Sequence, residues 1–416
     1  MKLSYKYRFY PTLPQQRQLA REFGCARVAY NWLLKARQVA YQASKVEGSK
    51  TKPLTSKTGG KAWTAHRQQR DVAWLQECSC VPQQQAQRHL NVAYDRFFKR
   101  LSKYPKFKKK HDKQSVEYTK SAFKYDKEAH ALTISKIGHL RIKWSRKFTS
   151  MPSTVTITKD RAGRYFVSLR LDEAKPALPK TGGQVGIDLG LNRLATLSNG
   201  ELVENPRHFM RRSKQLRRLQ RCLSRRVGSK KSEVKSNRWL DQKAKVAKLH
   251  AKIADARKDY LGKLTTQLVK TYDLLCMEDL NVAGMLRNHR LAKHIACASF
   301  GEFKRQLVYK ANIHGKTVLM ADKWFPSSKL CSCCGHLHDK MPLSIRHFKC
   351  EGCGVDHDRD INAAKNLKNL LTLWVQDQAA AGQAVFGRGG LVRLERGSPL
   401  ASSVLRSVNQ PSPTNA

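Results

Sequence analysis

The sequence lacks an apolar run long enough to cross a bilayer, an export signal and a normal share of acidic residues. The first absence excludes a transmembrane helix. The opening MKLSYKYRFY has no apolar core of a secretory signal, so we expect an intracellular protein without a membrane partner. In that setting an odd number of cysteines, 11, favours reduced thiols or metal ligands over disulfides. Hydrophobic residues make up 40% of the chain, which excludes wholesale disorder, and 416 residues suffice for two or three domains.

The scarcity of acidic residues leaves a large positive charge. The chain has 80 Lys+Arg against 31 Asp+Glu, a formal net charge of +49. Such a charge repels itself unless a polyanion neutralises it. We predict nucleic acid as that polyanion, with an affinity that falls steeply as salt rises. An anionic membrane surface is the alternative, but no basic amphipathic helix with a broad Trp, Phe and Leu face is present.

The first part of the chain is predicted to be a β module interrupted by helices. Leu3–Tyr10 alternates and is aromatic, which indicates a strand. From Pro14 to Phe98 apolar residues recur at helical spacing, with a Gly/Ser/Lys loop over Glu47–Lys61. Four or five short strands over Ser115–Leu171 would close a small barrel with the first strand. The Pro/Gly-rich segment Ala174–Gly183 is predicted to be a linker, with a domain boundary near residue 181.

The second part alternates buried strands with helices. Val185–Leu191, Asp273–Met277 and Thr317–Ala321 are short apolar runs, typical of buried strands. Ile361–Trp374 places its apolar residues on one face and is predicted to be the last helix. Beyond Val375 the chain is weakly patterned and rich in Gly, Ala, Ser and Pro, so we predict a disordered tail.

Two segments concentrate positive charge. Lys99–Lys110 holds seven basic residues among twelve, with Tyr104 and Phe107 between them. Arg207–Lys263 has helical composition and carries 20 basic against 4 acidic residues. Solvated faces and spacers are the alternative interpretation. The interleaved aromatics and the size of the imbalance favour contacts to a nucleic-acid backbone.

The cysteines near residue 340 have the spacing of a two-knuckle zinc site. The pattern is Cys-x2-Cys, fifteen residues, Cys-x2-Cys, and the predicted ligands are Cys331, Cys334, Cys350 and Cys353. Four protein thiolates leave no open position, so the zinc would be structural. Chance clustering or a redox pair is the alternative. Cys333 is a competing ligand, and His336, His338 and His347 are weaker ones.

Three carboxylates far apart in the sequence form the second candidate site. Asp188 lies within an otherwise buried strand, where an unpaired charge is costly unless it ligates a metal. Glu278 follows a strand and Asp360 opens a helix. If they converge, they could hold two Mg²⁺ ions for phosphodiester cleavage. Taken singly, Glu278 or Asp360 could equally be a helix cap or a surface acid.

These motifs together resemble a known family. Asp188 in GIDLG, Glu278 in MEDL and Asp360 in HDRDINAAKNL resemble the three motifs of a RuvC-type nuclease of the RNase H superfamily. The cysteine pairs before the third motif, FPSSKLCSCCG, and the amino-terminal RFYPT and FGCARVAYNWLL extend the likeness. Over approximately residues 1–374 the chain closely resembles the TnpB proteins of bacterial insertion sequences, relatives of the type V CRISPR effectors.

The resemblance implies a multidomain α/β fold plus a β-barrel. An RNase H-like (RuvC) nuclease domain would carry an inserted zinc-ribbon-like knuckle. The implied boundaries are a wedge-type β-barrel (1–10 and 111–180) interrupted by a helical recognition module (11–110), the nuclease domain (181–330 and 354–374), the zinc-binding insertion (331–353) and a disordered tail (375–416).

The resemblance also implies an activity: RNA-guided DNA endonuclease of an insertion sequence, cleaving guide-matched DNA beside a short transposon-adjacent motif by two-metal hydrolysis. The catalytic and magnesium-binding residues would be Asp188, Glu278 and Asp360. The partners would be a guide RNA from the transposon end and target double-stranded DNA. We expect a monomer in the bacterial cytoplasm, associated with the nucleoid. A nuclease-inactive RNA-guided repressor and, less favoured, a strand-transfer transposase are the alternatives.

Contacts to nucleic acid follow from the same resemblance. Gln84 and Gln85 lie in the helical segment from Trp74 to Leu90, which resembles the part that faces the adjacent motif, and glutamine suits adenine. A polar helix face is the equally supported alternative. The full set of predicted contact residues is Gln84, Lys106, Lys108, Lys109, Arg211, Arg212, Arg218, Arg225 and Arg226.

Overall fold

The computed structural model describes residues 2–45, 54–111, 113–226, 236–342, 344–381 and 390–394. The chain divides into two compact units, Met1–Ala174 with Lys243–Lys248 and Lys175–Gln242 with Leu249–Ala416. This division falls at the start of the predicted linker Ala174–Gly183. Among the described residues no helix is both long and apolar enough to cross a membrane.

The first unit combines short antiparallel strands with three helices. The strands are β1 (Lys2–Phe9), β2 (Gln114–Thr119), β3 (Phe123–Asp126), β4 (Ala131–Ile134), β5 (Gly138–His139), β6 (Ile142–Lys143), β7 (Thr154–Lys159) and β8 (Tyr165–Asp172). The helices are α1 (Leu13–Ala43), α2 (Ser56–Arg67) and α3 (Cys80–Phe98), with 3-10 turns at Arg70–Gln76 and Lys120–Ala122.

The strands of the first unit form two sheets. One has the order β2-β7-β8-β1-β6, and the other is β3-β4-β5. In β1 the alternate residues Leu3, Tyr5, Tyr7 and Phe9 are buried, which is the pattern of a strand with one face on a core. Helices α1 to α3 interrupt the β module between β1 and β2, in the predicted order. Closure of the strands into one barrel stays a prediction.

The predicted loop over Glu47–Lys61 is wrong at its carboxyl end. Helix α2 already begins at Ser56, because Thr55 caps it: the Thr55 hydroxyl accepts from the Thr58 N–H, and the Thr58 hydroxyl accepts from the Thr55 N–H. The remainder of that loop, residues 46–53, lies outside the described residues. The helical segment from Trp74 to Leu90 contains the end of the 3-10 turn Arg70–Gln76 and the first half of α3.

The second unit alternates strands and helices. The strands are β9 (Gln184–Asp188), β10 (Arg193–Leu197), β11 (Leu202–Glu204), β12 (Leu274–Glu278), β13 (Thr317–Ala321), β14 (His347–Lys349), β15 (Asp356–Asp358) and β16 (Gly390–Arg393). The helices are α4 (His208–Arg211), α5 (Ser213–Arg225), α6 (Asn237–Thr271), α7 (Val282–Met285), α8 (Ala292–Ala298), α9 (Phe300–Ile313) and α10 (Arg359–Ala380).

A mixed six-stranded sheet of order β11-β10-β9-β12-β13-β16 is the centre of this unit. The pairs among β9, β12, β13 and β16 are parallel, and β10 pairs antiparallel with β9 and β11. The central strands are buried on both faces, as parallel strands covered by helices are. Leu275 and Met277 pack with residues of α6 and α9, whereas Leu274 and Cys276 pack with residues of α10.

The predicted tail begins too early. Helix α10 does not end at Trp374 but continues to Ala380, and residues 390–393 form β16, which pairs parallel with β13. The pairing satisfies backbone groups at the edge of β13 that would otherwise remain open. A short Gly-Leu-Val-Arg run is sufficient for this, although its composition gives a weak strand signal. The other residues predicted to belong to the tail, 382–389 and 395–416, lie outside the described residues.

Candidate active site and metal centre

Two of the three predicted acids end neighbouring parallel strands. Strand β9 ends at Asp188 and β12 ends at Glu278. In the register of this pair Met277 lies opposite Ile187, so the next residues, Glu278 and Asp188, leave the sheet side by side. Strands in such a pair lie about 4.8 Å apart. The carboxyl edge of the sheet therefore carries both carboxylates, the usual place for a site in a sheet of this kind.

The third acid reaches the same edge through close packing of α10. Asp360 lies in its first turn, where Asp358 caps the helix by accepting from the N–H groups of Asp360 (2.9 Å) and Ile361 (3.0 Å). Where α10 packs against β9, it is the backbone of the helix that contacts the strand. A Cβ at Gly186 would lie 2.0 Å from the Ala364 carbonyl oxygen. Only glycine at position 186 lets the helix come this near, and the helix start is thereby fixed beside Asp188.

Asp188 lies close enough to the other two acids for their charges to act on it. Burial, together with the negative charges of Glu278 and Asp360, raises the pKa of Asp188 well above its usual range, and the charge of Arg359 opposes this. Burial also raises the pKa of Glu278, against a hydrogen bond from Ser327 and the charge of Arg359. Burial thus disfavours the ionised forms of Asp188 and Glu278, and a bound cation would offset that cost.

Several residues around the acids were not predicted from the sequence as site residues. The Ser327 hydroxyl donates to Glu278 Oε1, and Arg346 Nη1 lies 3.3 Å from Asp360 Oδ1. Arg359 is buried and donates to the Pro342 carbonyl (2.9 Å). Asn366 donates to the carbonyls of Ser327 and Leu330, which ties the segment carrying Ser327 to α10. The segments FPSSKLC and DRDINAAKN contain all of these residues except Arg346 and Pro342, but their contacts with the acids are tertiary and have no local sequence signal.

The four predicted zinc ligands converge. The thiol sulfurs of Cys331 and Cys353 are 3.8 Å apart and those of Cys334 and Cys350 are 3.6 Å apart, and all four sulfurs lie within 4.8 Å of one another. A tetrahedral ion with zinc–sulfur bonds of about 2.3 Å separates its ligands by about 3.8 Å. The thiols therefore fit zinc in number, chemistry and spacing. Cys333 is exposed and lies outside this group.

The thiols are held by two matching turns. The N–H of Gly335 donates to the Cys331 carbonyl (2.9 Å), and that of Gly354 donates to the Cys350 carbonyl (2.8 Å). Both glycines have positive φ, 71° and 72°, which a side chain would disfavour. The N–H of Val355 lowers the pKa of Cys353 to about 7. His357 Nε2 lies 3.1 Å from the Cys331 sulfur, a contact of the kind that orients a metal ligand.

The predicted nucleic-acid contacts lie on the surfaces of their own units. Gln84 is exposed on α3, whereas Gln85 is half-buried. Lys106 and Lys109 are exposed in the segment after α3. Lys108 is partly engaged within the unit: its backbone exchanges two hydrogen bonds with the Asn31 side chain, and its ammonium lies 4.1 Å from the Tyr30 ring centre.

The five predicted arginines lie on or beside α5. Arg211, Arg218, Arg225 and Arg226 are exposed, and Arg212 is half-buried. Arg226 Nη1 donates to the Arg238 carbonyl (3.1 Å), so this residue also joins α5 to α6. Gln242 of α6 donates to the Leu219 carbonyl (2.9 Å) in the same hairpin. The helical structure predicted for Arg207–Lys263 is present as α4, α5 and α6, and residues 227–235 lie outside the described residues.

Comparison with known proteins identifies this combination of domains. Family models match at residues 165–289 ("Probable transposase"), 300–367 ("Cas12f1-like, TNB domain") and 1–45 ("Helix-turn-helix domain"). A Streptomyces pristinaespiralis protein is 40% identical, covering 96% of this chain and 94% of its own. InsQ of Escherichia coli is 30% identical, covering 95% and 96%. Both carry the name "putative RNA-guided DNA endonuclease".

Two further likenesses are more distant. The TnpB-like protein L79 of Acanthamoeba polyphaga mimivirus is 27% identical over 57% of this chain and 47% of its own. A solved Cas12f1 chain, from a cryo-EM structure with sgRNA and target DNA, matches with a TM-score of 0.54 at 12% identity, covering 89% of this chain and 99% of that chain. At this identity the match concerns the fold. On the strength of the nearly full-length relatives, the chain belongs to the TnpB family and carries a Cas12f1-like TNB domain.

Proposed function

We propose that this protein is an RNA-guided DNA endonuclease that hydrolyses phosphodiester bonds in guide-matched DNA beside a short adjacent motif. The observation that carries the proposal is the meeting of Asp188, Glu278 and Asp360 at one sheet edge, where burial and then the charges of the other two acids raise the pKa of Asp188. Membership of a family whose relatives are named for this activity supports it.

Asp188, Glu278 and Asp360 would hold two Mg²⁺ ions. The donor set fits, because magnesium prefers carboxylate oxygens and the repulsion at this edge is relieved by cations. These acids are more widely spaced than the cysteine group, and two ions about 3.5–4 Å apart need a wider site than one. When bound, such ions supply an activated water and stabilise the leaving 3′ oxygen.

The surrounding residues would position the acids. Ser327 holds one oxygen of Glu278 by its hydroxyl hydrogen bond. Asp358 fixes the first turn of α10 and with it the carboxylate of Asp360. Arg359 supplies a fixed positive charge near Asp188 and Glu278, which limits their repulsion in the absence of cations. Zinc on the four cysteines would act structurally, since all four tetrahedral positions are filled by thiolates.

The partners would be a guide RNA from the transposon end and target double-stranded DNA, bound by a monomer. Exposed arginines of α5 and Lys106 are suited to backbone phosphates, and exposed Gln84 to a base edge of the adjacent motif. In such systems base pairing reads the target and the protein reads backbone shape and the short motif. The charge of +49 supports a polyanionic partner of this size.

The test uses the purified protein with the RNA produced from its flanking DNA. Asp188→Ala should lower single-turnover cleavage of motif-bearing plasmid by about 1000-fold or more, because one of the three carboxylates that would hold the ions is lost. Target binding should change by no more than about twofold. Asp279→Asn is the matched control: this neighbouring acid bonds Lys304 and lies 3.6 Å from Arg393 Nη2, so cleavage should persist.

The other outcomes discriminate between the remaining functions. Wild-type protein that binds target with its own guide and never cuts would establish the repressor instead. Guide-independent joining of DNA ends would establish a transposase, the activity named in the description of one matching family model. Equal loss of cleavage in Asp188→Ala and Asp279→Asn would contradict the assignment of the acids.

A further inference from the structure

A second group of metal-ligating side chains lies in the knuckle segment, outside the four cysteines. It consists of His336, His338 and Glu351, which we call the histidine–glutamate cluster. Its ligand atoms all lie within 4.8 Å of one another. His336 Nε2 is 3.6 Å and His338 Nδ1 is 4.0 Å from Glu351 Oε2. We propose that this cluster binds a second divalent d-block cation of the zinc class, with a coordination position left open to solvent.

The local chain geometry brings the two histidines to the same side. Leu337, between them, bridges to Leu330 in antiparallel fashion, and the His338 N–H donates to the Lys329 carbonyl (3.0 Å). In such an extended segment residues two apart project from the same face. The two imidazole rings accordingly lie 4.9 Å apart, edge to face.

The third ligand comes from the other knuckle. Glu351 directly follows Cys350, and Gly352 leaves room for His336 to lie against this turn. A Cβ at position 352 would be 2.9 Å from the His336 Cβ. The absence of a side chain there is what allows His336 to approach Glu351. Each of the two knuckles therefore contributes to the cluster, and closure of the four-cysteine site positions its ligands.

His338 shows the need for an additional partner. Its side chain is only 7% exposed, and its Nε2 is buried without a hydrogen-bond partner. Its Nδ1 faces the Glu351 oxygen at 4.0 Å, which is beyond hydrogen-bond distance. A buried imidazole that makes no side-chain hydrogen bond costs free energy. A cation on Nδ1 would give that nitrogen a partner, although Nε2 would still lack one.

A simple ion pair explains the arrangement less well. The Glu351 side chain is 78% exposed, and exposed ion pairs contribute little because water and salt screen them. Such a pair would also not require the second, buried histidine. A bound cation would be coordinated by all three side chains at once.

The donor set indicates which cation fits. Imidazole nitrogens with a carboxylate oxygen suit zinc and its neighbours, whereas magnesium and calcium prefer oxygen ligands. Zinc bonds of about 2.0–2.2 Å place tetrahedral ligands about 3.3–3.5 Å apart. The present separations of 3.6 and 4.0 Å need only a small movement of the exposed Glu351 side chain. Three protein ligands leave the fourth position to water or another small ligand.

The test counts zinc ions on the full chain, free of nucleic acid, by native mass spectrometry. All proteins carry Asp188→Asn, so that the acidic site contributes little to the count. With zinc in excess this parent should bind two ions. His336→Gln should bind one, and Glu351→Gln should weaken the second ion at least about 10-fold. Both altered residues are partly or fully exposed, so folding is preserved.

His347→Gln is the matched control. His347 is exposed in the same segment and is not part of the cluster, so this variant should still bind two ions. Cobalt bound to the four thiolates, followed by its sulfur charge-transfer absorption, should be equal in all four proteins and verifies that the knuckles are intact. A parent that saturates at one ion would overturn the proposal. A second ion retained in both cluster variants, or lost with His347→Gln, would also overturn it.

Discussion

The four-cysteine site and the three-acid site belong to the same unit but are assembled differently. All four thiols come from residues 331–353 and are held by two local turns of the backbone. The acids come from positions 188, 278 and 360, and they meet only because two strands are in register and α10 packs against β9. The first site depends on local chain geometry, and the second depends on the correct folding of the whole sheet.

The two sites also differ in the charge that their side chains carry without metal. Without metal the thiols carry little charge, because burial raises the pKa of Cys331 and of Cys334, although the Val355 N–H lowers the pKa of Cys353 to about 7. The acids are charged at neutral pH unless the site raises their pKa values, as it does for Asp188 and Glu278. We therefore expect loss of zinc to disrupt local structure, and loss of magnesium to leave the fold in place with unrelieved repulsion.

The largest expected effect concerns zinc. Cys331→Ser should lower zinc affinity by about 1000-fold, or about 4 kcal/mol, because one thiolate of the tetrahedron is lost. Hydrogen exchange should then increase over residues 331–358, while β9, β12 and β13 stay protected. Cys333→Ser is the matched control, since Cys333 is exposed and outside the group, and it should retain the zinc. Equal loss of zinc in both variants would show that Cys333 is a ligand.

The second prediction concerns the packing that completes the acid site. Gly186→Ala should destabilise the protein by about 3 kcal/mol, because the new methyl group would overlap the Ala364 carbonyl. Helix α10 must shift, so cleavage should fall further than target binding. Denaturant unfolding and single-turnover cleavage measure the two effects.

Gly301→Ala is the control for this prediction. It is a glycine of the second unit that lies in helix α9, and a Cβ there would have nothing within 4 Å. Its stability should be unchanged or about 0.5 kcal/mol higher, as expected for alanine in a helix. A Gly186→Ala variant that is as stable and active as Gly301→Ala would contradict the account of how Asp360 is positioned.

This difference in assembly explains how much the sequence could predict. The cysteine ligands follow from spacing alone, because the geometry is local. Strand β13 is predicted to the residue as Thr317–Ala321, and β9 and β12 within a few residues, because buried apolar runs are unambiguous. The meeting of the acids could not follow from periodicity. It depends on strand order and on a helix packed against Gly186, and only the family resemblance indicated it.

Other features could not be predicted from the sequence, for related reasons. Ser327 and Arg359 act on the acids through tertiary contacts that no local pattern encodes. The composition of the segment beyond Val375 indicated disorder, whereas Gly390–Arg393 joins an existing sheet edge. The capping box at Thr55 was overlooked because a Thr-x-x-Thr sequence is a weaker signal than one ending in glutamate.

The smallest expected effect concerns Asp188 and is a change in the free energy of unfolding. The raised pKa of Asp188 means that the folded state holds its proton more tightly than the unfolded chain does. Ionised Asp188 therefore destabilises the fold as pH rises above about 4, the ordinary value for aspartate. In chelator at neutral pH, Asp188→Asn should raise the unfolding free energy by about 1 kcal/mol, and the gain should vanish in acid.

Asp273→Asn, at the residue directly before β12, is expected to have the opposite effect on stability. Burial alone would favour neutral Asp273, but hydrogen bonds from Lys316 and from the N–H groups of Gly182 and Thr181 hold its pKa below the usual range. Removing this charge leaves the buried Lys316 with the Pro179 carbonyl but without a counter-charge, and it should cost about 3 kcal/mol at neutral pH. Thermal unfolding across pH, with and without Mg²⁺, measures both.

Saturating Mg²⁺ should reverse the advantage of Asp188→Asn, since only the wild-type acid then gains binding energy. An advantage that persists in Mg²⁺ would mean that Asp188 does not bind the ion.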